Sequence, residues 1–181
     1  HVLGVSLEES AASLRTHKPT SGRMRLIEGK EGSVIIDDTY NASPVAVEQA
    51  LQTLTQVASA GKKIAVLGDM LELGRFSSRE HERVGELVVG VADILVTIGV
   101  RSRKIAQTAL EQGMSADMIY QYDDVSRAVK ELPGIVSGED VILVKASQSI
   151  RGEKVVQALM AHPEHAKELL VRQDEQWIQK K

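Results

Sequence analysis

The run Asp37-Asp38-Thr39-Tyr40-Asn41-Ala42-Ser43-Pro44 gathers side chains that could hold a nucleotide. A carboxylate accepts hydrogen bonds from ribose hydroxyls, and an amide both donates and accepts. The ring of Tyr40 offers a base a flat surface. The preceding Val34-Ile35-Ile36 is β-branched and apolar, as a strand buried on both faces must be. Strand side chains alternate, so only one of Asp37 and Asp38 is expected to face a crevice. The plainer alternative is that Asp38 and Ser43 serve only turn and helix-cap amides.

A second run, Gly68-Asp69-Met70-Leu71-Glu72-Leu73-Gly74, follows another apolar stretch. It pairs the acids Asp69 and Glu72 between glycines that permit close backbone approach or positive φ. An ordinary loop is the alternative. His81, beyond it, is expected to be a surface or cap residue. A third run, Lys145-Ala146-Ser147-Gln148-Ser149-Ile150-Arg151-Gly152-Glu153, sets Lys145, Ser147 and Ser149 between a strand and a helix start. That placing suits a carboxylate or a phosphate, or else a helix cap with solvated charges. The basic loop at 99–103 is expected to be a solvated cap.

Elements must position these side chains. Apolar runs at 64–67, 94–98 and 141–144, with a weaker one at 118–122, predict strands. Helical periodicity falls between them at 45–58, 78–89, 103–112, 125–132 and 150–161. Ser43-Pro44 puts a capping hydroxyl before a proline at the first helical position. Ser77-Ser78-Arg79-Glu80 has the form of a capping box. Gly113 and Pro133-Gly134 stop two helices. Upstream, two extended runs at 23–28 and 33–37 flank Gly29-Lys30-Glu31-Gly32 like a hairpin. The alternation predicts an α/β fold: a mostly parallel sheet of about six strands, one antiparallel, with helices on both faces. A short amphipathic helix at 7–16, capped by Ser6 with Glu8 and Glu9 in its first turn, precedes a turn-rich stop at 18–22 that marks a domain boundary. The tail from 163 to 181 is charged and partly helical. In such sheets ligands bind beyond the carboxyl ends of the strands, where all three runs lie.

Composition narrows the function classes. The chain has 181 residues, a net charge of -3 and no cysteine. No basic field is present to attract nucleic acid or an anionic membrane. The lack of cysteine excludes disulfides and thiolate chemistry and suits a reducing cytoplasm. The longest nearly apolar stretch, 87–100, is too short to cross a bilayer. Neither a G-x-x-x-x-G-K-[ST] phosphate loop nor a G-x-G-x-x-G fingerprint occurs, so a triphosphate would need donors from elsewhere. A first residue other than Met suggests a fragment or a processed product.

In order and spacing these runs, with Gly22-Arg23-Met24-Arg25 and Leu143-Val144-Lys145-Ala146-Ser147, resemble the Mur ligases. The Gly68–Gly74 run most resembles the branch that adds D-alanyl-D-alanine to UDP-N-acetylmuramoyl-tripeptide in peptidoglycan precursor synthesis. The resemblance implies that residues 1–21 end a central ATPase domain and that 22–181 form the C-terminal domain, Rossmann-like with one antiparallel strand. It implies ATP and Mg²⁺ as cofactors, with metal and phosphate ligands mainly in upstream domains of the same chain. ATP would phosphorylate the tripeptide carboxylate, and the dipeptide amine would attack the acyl phosphate. Arg25 would reach the nucleotide across the domain interface, Asp38 would hold its ribose, and Tyr40 and Asn41 would line its pocket. Lys145, Ser147 and Ser149 would receive the dipeptide, with Asp69 and Glu72 as further partners in that cleft. The enzyme would be a cytoplasmic monomer. The chain departs from the family pattern at Thr39, Ser43, Ala146 and Gln148. A different amino-acid ligase of this family and a non-catalytic nucleotide-binding module are the competing readings.

Overall fold

The computed structural model describes residues 4–17 and 19–179. The first residue of the expected boundary turn, Lys18, and the last two of the tail lie outside the described residues. Six strands form one sheet in the order β1-β2-β6-β3-β4-β5. β1 (Arg25–Glu28) pairs antiparallel with β2 (Val34–Asp38), and every other pairing is parallel. The remaining strands are β3 (Lys63–Gly68), β4 (Ile94–Ile98), β5 (Ile119–Tyr122) and β6 (Val141–Lys145). The expected fold class is therefore realised, antiparallel strand included.

Helices cover both faces. α2 (Pro44–Gln56), α3 (Ser77–Val88) and α4 (Arg103–Glu111) pack Leu51, Leu54, Val84, Val88, Ile105 and Ala109 against Ile36, Ala65, Leu67, Leu95 and Leu143. On the other face α5 (Val125–Glu131), α6 (Glu153–Leu159) and α7 (Ala166–Leu169) bury Ala128, Val155, Val156, Leu159 and Ala166 against Ile35, Ile64, Val66, Val96, Ile142 and Val144. A strand enclosed on both sides is apolar on both faces, which is why β4 reads as apolar but for Thr97 and β6 as apolar up to Lys145 at its end. α8 (Glu175–Ile178) is the last element among the described residues.

The helices leaving β2 and β3 lie on one face, whereas the helix leaving β6, set between those strands, lies on the other. This reversal opens a crevice at the carboxyl end of β6, the position where open α/β sheets receive ligands.

Several local expectations change. Ser43 precedes α2 with Pro44 at its first turn, but its side chain makes no cap bond. α3 begins at Ser77 behind a turn at Gly74–Phe76, so Ser77 lies inside the helix and no capping box forms. The last long helix starts at Glu153 instead of 150, because Gln148–Ile150 form a separate turn ended by Arg151 in the left-handed region. α1 (Leu7–Thr16) has the expected bounds and a full capping box between Ser6 and Glu9. It buries no residue, and Leu7 and Leu14 are 71% and 73% exposed.

Candidate functional site

The last pair in the β2–β6 register is Asp38 with Lys145. Lys145 Nζ lies 2.5 Å from Asp38 Oδ2 and donates to the Asn41 carbonyl at 3.0 Å. The Met24 N–H reaches Asp38 Oδ1 at 3.3 Å. Lys145 is buried, whereas Asp38 keeps 13% of its side chain open. A buried ammonium needs such a partner, because its desolvation is otherwise uncompensated. Asp38 thus fixes the cation while its exposed edge looks into a cleft of ≈ 510 Å³. Tyr40, Asn41, Ser43 and Arg23 stand around that cleft. Tyr40 is 46% exposed, and the Arg23 guanidinium stacks on its ring at 4.1 Å.

Alternation sends Asp37 the other way, as expected. Fully buried, it accepts from the Thr39 hydroxyl at 2.6 Å, the Thr39 N–H at 3.2 Å and the Gly22 N–H at 3.1 Å. Burial pushes its carboxyl above the ordinary range, and these donors oppose the shift. The Tyr40 N–H returns to the Gly22 carbonyl at 2.9 Å. Gly22 has φ +70, and a Cβ there would stand 3.0 Å from the Tyr40 nitrogen. Glycine at this position lets the 20–24 turn lie against the cleft loop.

Arg25 is not brought to Asp38. It pairs in register with Asp37, so it shares the opposite face, and its guanidinium donates to Ser21 Oγ and the Leu169 carbonyl. Arg23, two residues earlier, occupies the cleft instead; it lay within the run that carried the resemblance.

A smaller cleft of ≈ 260 Å³ adjoins the first, with Asn41 in both. Glu72, Ser147, Ser149 and Trp177 line it. Glu72 holds a left-handed backbone, φ 64. Ser147 Oγ accepts from the Leu71 N–H at 2.9 Å and thereby sets the position of the 71–72 turn.

Asp69 is not brought into this cleft. Its Oδ1 accepts from the Ser102 N–H at 2.7 Å, and Arg101 lies 3.7 Å from Oδ2. The carboxylate ties the end of β3 to the turn after β4. Gly99, with φ +114, admits it, because a Cβ would fall 2.4 Å from Oδ1. The 99–103 loop is therefore a structural joint more than a solvated cap. His81 is likewise fully buried, against expectation. Its Nδ1 lies 2.7 Å from the Ser77 carbonyl and its Nε2 accepts from the Met70 N–H at 3.1 Å. Ser77 O can only accept and Met70 N–H can only donate, so the ring is the neutral Nδ1–H tautomer.

Sequence reasoning missed a further centre. Glu153, 1% exposed, is clamped by Arg151 and by Arg172 from the tail. The signal available was one tryptophan and one arginine in a largely charged tail.

The model for the Mur ligase glutamate ligase domain matches residues 22–148. The chain belongs to this family. It is 36% identical over 164 residues to the UDP-N-acetylmuramoyl-tripeptide--D-alanyl-D-alanine ligase of Bacillus subtilis, a match covering 88% of this chain and 35% of that protein. The Escherichia coli ligase of the same name is 32% identical over 160 residues, with 87% and 33% covered. Among solved structures, the Thermotoga maritima MurF ligase in complex with ADP matches with a TM-score of 0.70 and 30% identity, over 92% of this chain and 36% of that one. This chain thus spans about a third of the length of these relatives.

Proposed function

We propose that this chain is the C-terminal part of an ATP-dependent amide ligase that joins D-alanyl-D-alanine to UDP-N-acetylmuramoyl-tripeptide. The observation that carries the reading is the Asp38–Lys145 pair at the rim of an open cleft, in a chain similar to ligases of that name. A ligase must place a nucleotide, a carboxylate and an amine together, and positioning supplies much of its rate.

The larger cleft fits the nucleoside end of ATP. Asp38 has a free edge for ribose hydroxyls, Tyr40 and Arg23 offer flat surfaces, and Asn41 supplies an amide. Arg25, facing away in this chain, would act only across an interface with an upstream domain. The smaller cleft, with Ser147, Ser149 and Glu72, is the place for the dipeptide. Lys145 acts there by fixing Asp38 and the Asn41 carbonyl that separates the two clefts. Asp69 holds the scaffold. Among the described residues no group of three or more acids and histidines could hold a metal, so Mg²⁺ ligands would come from upstream sequence. When bound, Mg²⁺ would neutralise phosphate charge as the tripeptide carboxylate is phosphorylated.

Residues 1–21 belong, on this reading, to the preceding ATPase domain. The bare apolar side of α1, with Leu7 and Leu14 exposed, is what a helix detached from its packing partner would present. Among the described residues no helix is long and apolar enough to cross a membrane, in keeping with action in the cytoplasm.

The test is an assay of the full-length protein for phosphate release with UDP-N-acetylmuramoyl-tripeptide, ATP and candidate amines. Release that depends on D-alanyl-D-alanine is expected. Release driven by a single amino acid, or no ATP turnover with any amine, would overturn the assignment.

A further inference from the structure

Arg151 and Arg172 both hold left-handed backbone, with φ 63 and 60. Non-glycine residues stay there only where their surroundings over-determine them. Here both guanidiniums converge on buried Glu153, Arg151 Nε on Oε1 at 2.5 Å and Arg172 Nη1 on Oε2 at 3.0 Å. Arg172 also donates to the carbonyls of Thr39 and Tyr40, at 3.0 and 2.5 Å, in the loop that carries Asn41. Arg151 Nη1 donates to the Trp177 carbonyl at 2.9 Å. The indole lies 5.3 Å from the Arg151 guanidinium and 5.6 Å from that of Arg172, within cation–π range. Asp174 caps α8 by accepting from the Trp177 N–H at 3.1 Å. The tail is thus latched by charge-assisted bonds onto the loops that form the clefts, and the latch sets the place of the indole.

That place is the wall of the smaller cleft, facing Glu72, Ser147 and Ser149. Among the described residues Glu72 is the only ionic group lining it, so the cleft suits a cationic amine. We propose that the segment 170–179 is a structural wall of the amine-substrate pocket. Trp177 is its specificity-determining residue. Its indole limits the side chain next to the amine, and Glu72 faces the ammonium. This rests on the ligase reading above and adds a residue from the tail to it.

The experiment uses the full-length ligase carrying Trp177→Ala or Trp177→Phe. Steady-state constants are measured with D-alanyl-D-alanine and with D-leucyl-D-alanine, whose first side chain is bulkier. Trp177→Ala is expected to raise KM for D-alanyl-D-alanine about tenfold and to shift kcat/KM toward the bulkier dipeptide, as loss of a pocket wall does. KM for ATP stays within about twofold, and Trp177→Phe keeps the wild-type preference, because the aromatic wall persists. If the alanine variant is unfolded by circular dichroism, Trp177→Leu replaces it with the same expected direction. Unchanged dipeptide KM and preference in a folded variant would overturn the wall while leaving the ligase reading intact. Failure of the wild-type enzyme to use any D-dipeptide would instead overturn the ligase reading.

Discussion

The two strand ends that look most alike in sequence behave oppositely in the structure. β2 ends on Asp38, and β3 is followed by Asp69, each an acid at the end of an apolar strand. Asp38 meets a lysine from β6 and keeps an open edge toward a cleft. Asp69 meets the Ser102 amide and Arg101, and is 4% exposed. Both strands flank β6, so what separates the acids is the neighbour each turns toward: Asp38 toward Lys145 of β6, Asp69 toward the turn after β4. At β2 and β6 successive helices leave on opposite faces, so the strand ends part and a crevice opens. At β3 and β4 the helices leave on the same face, and the following turn closes over the acid. A carboxylate at a strand end builds a site only where the topology leaves it room.

Substitutions should separate the two ends by which quantity they change. On the proposed ligase reading, Asp38→Asn in the full-length protein is expected to lower kcat/KM for ATP roughly 10- to 100-fold, the worth of about 1.5–3 kcal/mol for hydrogen bonds to a charged group. Because it also removes the counter-charge of the buried Lys145 ammonium, a drop in melting temperature is expected beside the kinetic loss. Steady-state kinetics per folded molecule beside a thermal melt checks both halves. Asp69→Ala should cost stability alone. It leaves the buried Ser102 N–H without its acceptor and is expected to lose about 1–3 kcal/mol in urea unfolding. Turnover per folded molecule should stay within about twofold of wild type. Equal kinetic losses in the two variants would erase the distinction.

A finer contrast lies within the β2 end itself, between Asp37 and Asp38. Burial raises the Asp37 pKa above 3.8, so the folded state holds that proton more tightly than the unfolded chain does. The resulting stabilisation is complete below 3.8 and is lost as pH rises through the raised value. The difference in unfolding free energy between wild type and Asp37→Asn should therefore vary with pH across that window. A flat difference would show that Asp37 ionises as freely as in the unfolded chain. The smallest effect is expected at α1. Deleting residues 4–17 from this chain should change its unfolding free energy by less than about 0.5 kcal/mol, because the helix buries no residue. A larger loss would place α1 with the C-terminal domain.

Much of the fold was legible in the sequence, for identifiable reasons. β4 has its expected bounds because Ile94–Ile98 is apolar but for Thr97 and fenced by Asp93 and Gly99. α1 has its expected bounds because Ser6 and Glu9 form a local capping box. The split between Asp37 and Asp38 followed from strand alternation alone. The misses share a different origin. Asp69 and His81 find partners outside their own runs: the Ser102 amide and the Met70 amide. Local pattern says that a polar side chain sits near a strand end, and says nothing of which backbone group will meet it. The Glu153 clamp was hidden for the same reason, since Arg172 comes from a tail whose composition suggested only solvated charge.

On the proposed ligase reading, hydrogen–deuterium exchange on the full-length protein tests the contrast between the two ends most directly. With ATP analogue and D-alanyl-D-alanine bound, peptides spanning 38–43 and 146–150 should exchange more slowly, whereas 99–103, already closed by Asp69, should be unchanged. Protection at 99–103 with none at 38–43 would contradict the account, because ligand would then sit at the joint and not at the crevice.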